Sequence, residues 1–345
     1  MSKRYACALY LGFLTLPALA QTAARPEPAG AVEPAAAADA APDAAPATVV
    51  VEGRRPGPGV WKVSKGDHVM WVFGLYSPLP QKMDWDSARV ERLVAKSQQV
   101  LMPPGASIGV GFFRSLTLLP SMIGMEKNPD GAMLQDILPA DVYAHWQVQK
   151  GKYIGQDDGV ERDRPFFAAE KLLRAGLKKN GLAENTAVGD QVEKIARQSK
   201  VKLTRTMLEI ELDDPRTTLT AFKKMQMEDL TCFTKTLERL DGDIDAMRVR
   251  ANAWANGDTA ELSRLDYIER DEACGDALLN SPLAKTTPAL QNVRERIRAG
   301  WLKAAEQSLA DNTSTFALLR MKDIVGPKSY LAGLQAKGYT VESPK

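Results

Sequence analysis

Strand-forming sequence in this 345-residue chain is concentrated at its two ends, and helix-forming sequence fills most of the middle. That division constrains the fold more than any other feature, because a strand is stable only when it is paired within a sheet. Near the N-terminal end Val60-Trp61-Lys62-Val63 reads as a strand and Lys65-Gly66-Asp67 as a turn. His68 to Phe73 reads as a second strand, aromatic and β-branched, closed by Gly74. A helix is expected from about Asp86 to Gln99, capped by Asp86 or Ser87, with Val90, Leu93 and Val94 as its apolar face. Val100-Leu101-Met102, stopped by Pro103-Pro104, makes this first unit β-β-α-β. At the other end Thr315 to Leu319 is expected as a strand, Ser329 to Lys337 as a helix and Tyr339-Thr340-Val341 as a final strand.

Helices are expected between these ends at Met133 to Leu138, Pro139 to Val148, Pro165 to Leu177 and Val188 to Ser199. Lys202 to Leu212 alternates like one strand, and Asp214 then caps a helix that begins at Pro215. Pro288 to Leu309 is a further amphipathic helix. The clearest periodicity is Leu230, Phe233, Leu237, Leu240, Ile244, Met247, Ala251 and Trp254, a coiled-coil-like stripe predicted to lie on one long helix. It is read as half of an intramolecular helical hairpin. Exposure of the stripe would instead support pairing with another chain.

The first residues carry an export pattern. Lys3 and Arg4 precede an apolar stretch from Tyr5 to Leu19, and Ala18-Leu19-Ala20 fits cleavage before Gln21. The stretch is too short to span a bilayer and contains Pro17. The expected divisions are a signal peptide over 1–20, an Ala/Pro-rich tether over 21–47 that lacks an apolar face, and a folded domain over 48–345 opening on Thr48-Val49-Val50-Val51. The mature protein is then periplasmic or secreted, and no later stretch is long and apolar enough to cross a membrane. Without Lys3 and Arg4 the 45 basic residues fall to 43, equal to the 43 acidic ones. A neutral chain with no basic run gives no electrostatic reason to expect nucleic acid. Cys232 and Cys274 remain after cleavage, and an even count in an oxidising compartment predicts a disulfide.

The motifs at the two ends resemble, in order and spacing, those of the TraB/GumN family. In that family a Trp-containing strand leads to a second strand that ends in Gly-x-x-His and Leu-Pro. Here Val60-Trp61-Lys62-Val63 leads to Gly74-Leu75-Tyr76-Ser77-Pro78-Leu79-Pro80. The family's closing strand, second Gly-x-x-His, helix and Gly-Tyr-x-Val strand find their counterparts in Thr315 to Leu319, Arg320-Met321-Lys322-Asp323 and Tyr330 to Val341. The resemblance implies an α/β fold of α+β character. One small mixed sheet would be formed from both chain ends, with a large helical insertion over approximately 130–310 that the disulfide staples.

The resemblance also implies a metal-dependent hydrolase in which the two His loops and an acidic residue hold a divalent metal. This chain departs from that pattern at each place. Gly74 is kept, but Ser77 stands for the first His, Arg320 for the second Gly and Asp323 for the second His. Met102 or Pro103 stands for the acid. The two histidines, His68 opening a strand and His145 one turn after Asp141 on a helix, form no metal-binding pattern. Ser77 as a nucleophile would need a base that the chain does not place near it. Glu209, Glu211, Asp213 and Asp214 read as a solvated strand edge and a helix cap, and Asp157-Asp158-Gly159 lacks the other ligands of a calcium loop.

Three readings follow. The first is a catalytically degenerate member of the scaffold that binds a protein or small polar ligand, with no cofactor. The second is a peptidase-like hydrolase with a rebuilt oxygen-ligand site at Gly74, Ser77, Arg320 and Asp323, which alone would require a divalent metal. The third is an assembly protein that uses the stripe.

Overall fold

The computed structural model describes residues 57–109, 112–184, 187–242, 244–264, 269–326 and 328–344. The expected signal peptide, tether and Thr48–Val51 run lie outside these residues.

The chain enters a hairpin of β1 (Val60–Lys65) and β2 (His68–Leu75), paired from Val60↔Phe73 to Lys65↔His68. This register leaves a two-residue loop, and Gly66 at its head takes φ +62°, a conformation that costs glycine little. β2 runs one residue past Gly74, the expected end. The short β3 (Leu79–Pro80) and helix α1 (Ala88–Ala95) follow, then β4 (Gln99–Leu101), β5 (Gly105–Gly109) and α2 (Phe112–Met122). α1 stops four residues before the expected Gln99 because Gln99 itself begins β4.

The middle contains α3 (Leu134–Ile137), α4 (Ala140–Tyr153), α5 (Pro165–Lys179), the short β6 (Leu182–Ala183) and α6 (Ala187–Gln198). It continues through β7 (Lys202–Thr204), β8 (Met207–Glu211) and α7 (Pro215–Lys224). Then come α8 (Leu230–Gly242), α9 (Ile244–Asn256), α10 (Thr259–Leu262), α11 (Glu269–Leu279) and α12 (Pro282–Thr286). The last part is α13 (Val293–Asp311), β9 (Ser314–Arg320), α14 (Met321–Ile324), α15 (Tyr330–Gln335) and β10 (Thr340–Glu342). Asp214 caps α7 as its sequence predicts, accepting from the Arg216 and Thr217 amides ahead of the Pro215 ring.

The main sheet has the order β10-β1-β2-β9-β4-β7, with β1 antiparallel to both neighbours and β2, β9, β4 and β7 parallel. It is a mixed sheet built from both chain ends, to which the middle adds the edge strand β7. At its centre β9 has Phe316, Ala317, Leu318 and Leu319 all fully buried. Burial of successive residues covers both faces, which is why this strand reads as a continuous apolar run without alternation. The sheet core also takes Val90 and Val94 of α1, Val192 of α6, Trp301 of α13 and Leu331 of α15. A second core in the helical region gathers Trp146, Leu172, Leu173, Phe233, Leu237 and Met247.

Three expectations change. The helix expected from Pro288 begins only at Val293, because Pro288–Leu290 forms a separate 3-10 turn. Lys202 to Leu212 is not one strand. β7 joins the main sheet, whereas β8 leaves it to pair in parallel with β5. The Leu230 to Trp254 stripe lies on two helices, and seven of its eight positions face inward. Phe233, Leu237, Leu240 and Met247 enter the helical core, and Ala251 and Trp254 enter the sheet core. Leu230 alone is exposed, and Ile244 is half-buried. A stripe consumed by two cores offers no apolar surface to a second chain, which removes the observation on which the assembly reading depended.

Candidate functional site

The parallel strands end together, and the residues that follow them converge. Leu75, Tyr76 and Ser77 leave β2, Met102 and Pro103 follow β4, and Arg320, Met321 and Lys322 follow β9. With the first turn of α6 (Val188, Gly189, Asp190) and Asp271 of α11 they line a cleft of about 400 Å³. Crevices outside the carboxyl ends of parallel strands are the general location of ligand sites in open α/β sheets. The walls are mainly apolar, with the charged groups gathered on a few side chains.

Gly74 has a packing role next to this cleft. A Cβ there would lie 2.3 Å from Met321 Sδ, so glycine is what lets α14 approach β2. Its carbonyl accepts a hydrogen bond from Trp254 Nε1 at 2.6 Å. Ser77 and Arg320 line the same cleft. Asp323 does not. It borders a neighbouring cavity of about 420 Å³ with Arg298, Lys328 and Tyr330, and Asp271, Arg320 and Lys322 border both. Ser77 and Asp323 thus border two adjoining cavities, and Arg320 borders both.

Arg320 grips Asp323 with two prongs, Nε to Oδ2 at 2.7 Å and Nη2 to Oδ1 at 3.3 Å. Burial favours the neutral form of Arg320, but the Asp323 charge and its hydrogen bonds outweigh this and hold the guanidinium above its usual value. Tyr330 is pushed up to about 12 by burial and by the nearby Asp323 carboxylate. Burial also works against the charge on Asp271, yet Arg239, Lys322 and Arg270 keep its carboxyl below the usual range.

These donors do not fit a divalent cation. A hydrolytic site needs imidazole or available carboxylate ligands and an open position for water. The ends of β2 and β9 present a hydroxyl, a guanidinium and a carboxylate whose two oxygens are both occupied by that guanidinium. No group of three or more His, Cys, Asp or Glu side chains suited to a metal occurs among the described residues. His68 sits at the far end of β2 with Nδ1 2.6 Å from the Leu309 carbonyl. His145 reaches across to Asp241 of α8 at 2.7 Å rather than to Asp141 on its own helix. Glu209 and Glu211 are exposed on β8.

The cleft residues that sequence motifs did not single out are Asp271, Lys322 and Asp190. Asp271 had one available signal, its position three residues before Cys274 on a helix. Cys232 of α8 and Cys274 of α11 form a disulfide with Cα atoms 4.5 Å apart, which fixes α11 against α8. One turn earlier on α11, Arg270 donates to Thr236 of α8, and Arg239 of α8 reaches Asp271.

Residues 59–343 match the family described as TraB/PrgY/gumN. No curated protein and no solved structure matches the chain.

Proposed function

The chain belongs to the TraB/PrgY/gumN family, and we propose that it is an exported, catalytically degenerate member that uses the strand-end cleft to bind a small ligand. The observation that carries this reading is the two-pronged Arg320–Asp323 bridge. It occupies the place where the family resemblance puts the second histidine loop, and it commits the one carboxylate of that loop to a guanidinium instead of leaving it for a cation. Ser77, at the place of the first histidine, lines the cleft without a histidine beside it to act as base. Preservation of the cleft without metal ligands supports binding over hydrolysis. Export rests on Lys3, Arg4, the apolar stretch and Ala18-Leu19-Ala20, and it places the mature chain in the periplasm or outside the cell.

The test is metal content and metal-stimulated peptidase activity of the chain from Gln21 onward, with Ser77→Ala and Asp323→Ala alongside. The expected result is no stoichiometric metal and no cleavage with added Mn²⁺, Co²⁺ or Zn²⁺. Metal-dependent cleavage abolished by either substitution would replace this reading with a hydrolase rebuilt on oxygen ligands.

A further inference from the structure

The cleft is apolar along most of its wall, its charged groups are Asp190, Asp271, Arg320 and Lys322, and of these Lys322 is held only loosely. Arg239, Arg270 and Lys322 all share Asp271. Arg239 Nη1 and Arg270 Nη1 each lie 3.4 Å from Oδ1, and Lys322 Nζ lies 3.6 Å from Oδ2. The two arginine side chains are nearly buried, and Arg270 is also paired with Glu170. Lys322 is different in three respects. It is partly exposed, it makes no hydrogen bond to another described residue, and of the three cations it alone lines the cleft. Lys322 Nζ stands beyond hydrogen-bond distance of Asp271, so its ammonium keeps donors for a further anion. Arg320, the other cation of the cleft, already holds a carboxylate, Asp323, through Nε and Nη2. Asp190, which also lines the cleft, is engaged in a contact of its own.

We infer that the cleft takes a small amphiphilic carboxylate, its acid group on Lys322 and its apolar body against Leu75, Met102, Val188 and Met321. The inference rests on the reading of this cleft as a ligand site, and it adds the chemical class of the ligand. A cavity of about 400 Å³ suits a small molecule. A mainly apolar lining with one loosely held cation rewards a ligand with one acid and a hydrocarbon body. A hydrocarbon without the acid would leave Lys322 to be desolvated unpaired.

The experiment is calorimetric titration of the chain from Gln21 onward with decanoate, decanol and decyltrimethylammonium, each below its aggregation limit. Decanoate is expected to bind about tenfold tighter than decanol, the equivalent of one charge-assisted contact. Lys322→Met should erase that preference by weakening decanoate while decanol binds at least as tightly as to the wild type, and Lys322→Arg should keep it. Val188→Trp, which fills the cleft, should weaken all binding. Equal affinity for decanoate and decanol, or a preference that survives Lys322→Met, overturns the carboxylate inference and leaves the cleft reading standing. Tightest binding of the ammonium, or binding indifferent to Val188→Trp, overturns it as well. If none of the three binds, the inference fails, whereas the degenerate reading fails only in the metal and peptidase assay.

Discussion

Two charge clusters, one around Asp163 and Arg164 deep in the helical middle and one around Asp271 at the cleft, hold their charge in opposite ways. In the middle the bonds are short and numerous. Fully buried Asp163 takes Lys127 and Lys171 at 2.6 Å each. Arg164, just before α5, donates to the carbonyls of Lys127, Phe222, Lys223 and Met225, and so ties the end of α7 to the start of α5. Glu161 receives Trp146, Gln147 and Lys150 on one oxygen. At the cleft, Asp271 meets three cations at 3.4 to 3.6 Å, where a hydrogen bond is already weak. Saturated donors make architecture, and loosely held ones keep capacity for a partner from outside. The difference separates a cluster whose charges are closely paired from one whose charges are loosely shared.

The strongest way to break this contrast is to open the closed side. Arg164→Leu removes four hydrogen bonds and leaves buried carbonyls unpaired, so it is expected to cost roughly 3–5 kcal/mol. Urea unfolding would measure it as a fall in midpoint at unchanged slope. A loss below about 1 kcal/mol would mean the network is not what holds α7.

The disulfide joins the two regions, since it sets α11, and with it Asp271, against α8. It closes a loop of 42 residues. The paired change Cys232→Ala and Cys274→Ala is expected to cost about 2–4 kcal/mol. Thermal unfolding of the wild type with and without reductant should give the same difference. A cleft that still binds its probe after this change would show that α11 is held by packing alone.

The smallest effect is expected at the loose side. Asp271→Asn should cost less than about 1 kcal/mol at neutral pH, because the group is partly exposed and its partners are distant. Its pH signature is specific. The three cations depress its folded pKa. Its contribution is therefore present above the unfolded value of about 3.9 and is lost as pH falls through the lower folded value. Stability measured downward from about pH 5 should fall less steeply in Asp271→Asn than in the wild type. An effect as large as that of Arg164→Leu would erase the distinction between the regions.

Much of the fold was legible locally. Val60 to Phe73 and Thr315 to Leu319 read as strands because β-branched and apolar side chains mark a pleated, buried surface wherever it is placed. Asp214-Pro215 read as a helix start because cap and ring act within one turn. The site was legible only in part. Ser77, Arg320 and Gly74 were found through their places in a family pattern, but nothing in that pattern assigns Lys322 or Asp271, and nothing separates Asp323 into the neighbouring cavity.

What the amino-acid order determined by itself is therefore whatever depends on neighbours along the chain. This includes the strands at both ends, the helices between them, the caps, and the residues Ser77 and Asp323 that stand at the ends of β2 and β9. The tertiary structure decided which surfaces meet. Periodicity from Leu230 to Trp254 specified an apolar face, but two separate cores cover it, because an apolar stripe records that it must be buried and not against what. Likewise Lys322 of α14 and Asp271 of α11, fifty-one positions apart in the chain, face one cleft only after a disulfide and a sheet edge have brought their helices together. Contacts of that kind depend on the distance between elements in space, which local spacing does not encode.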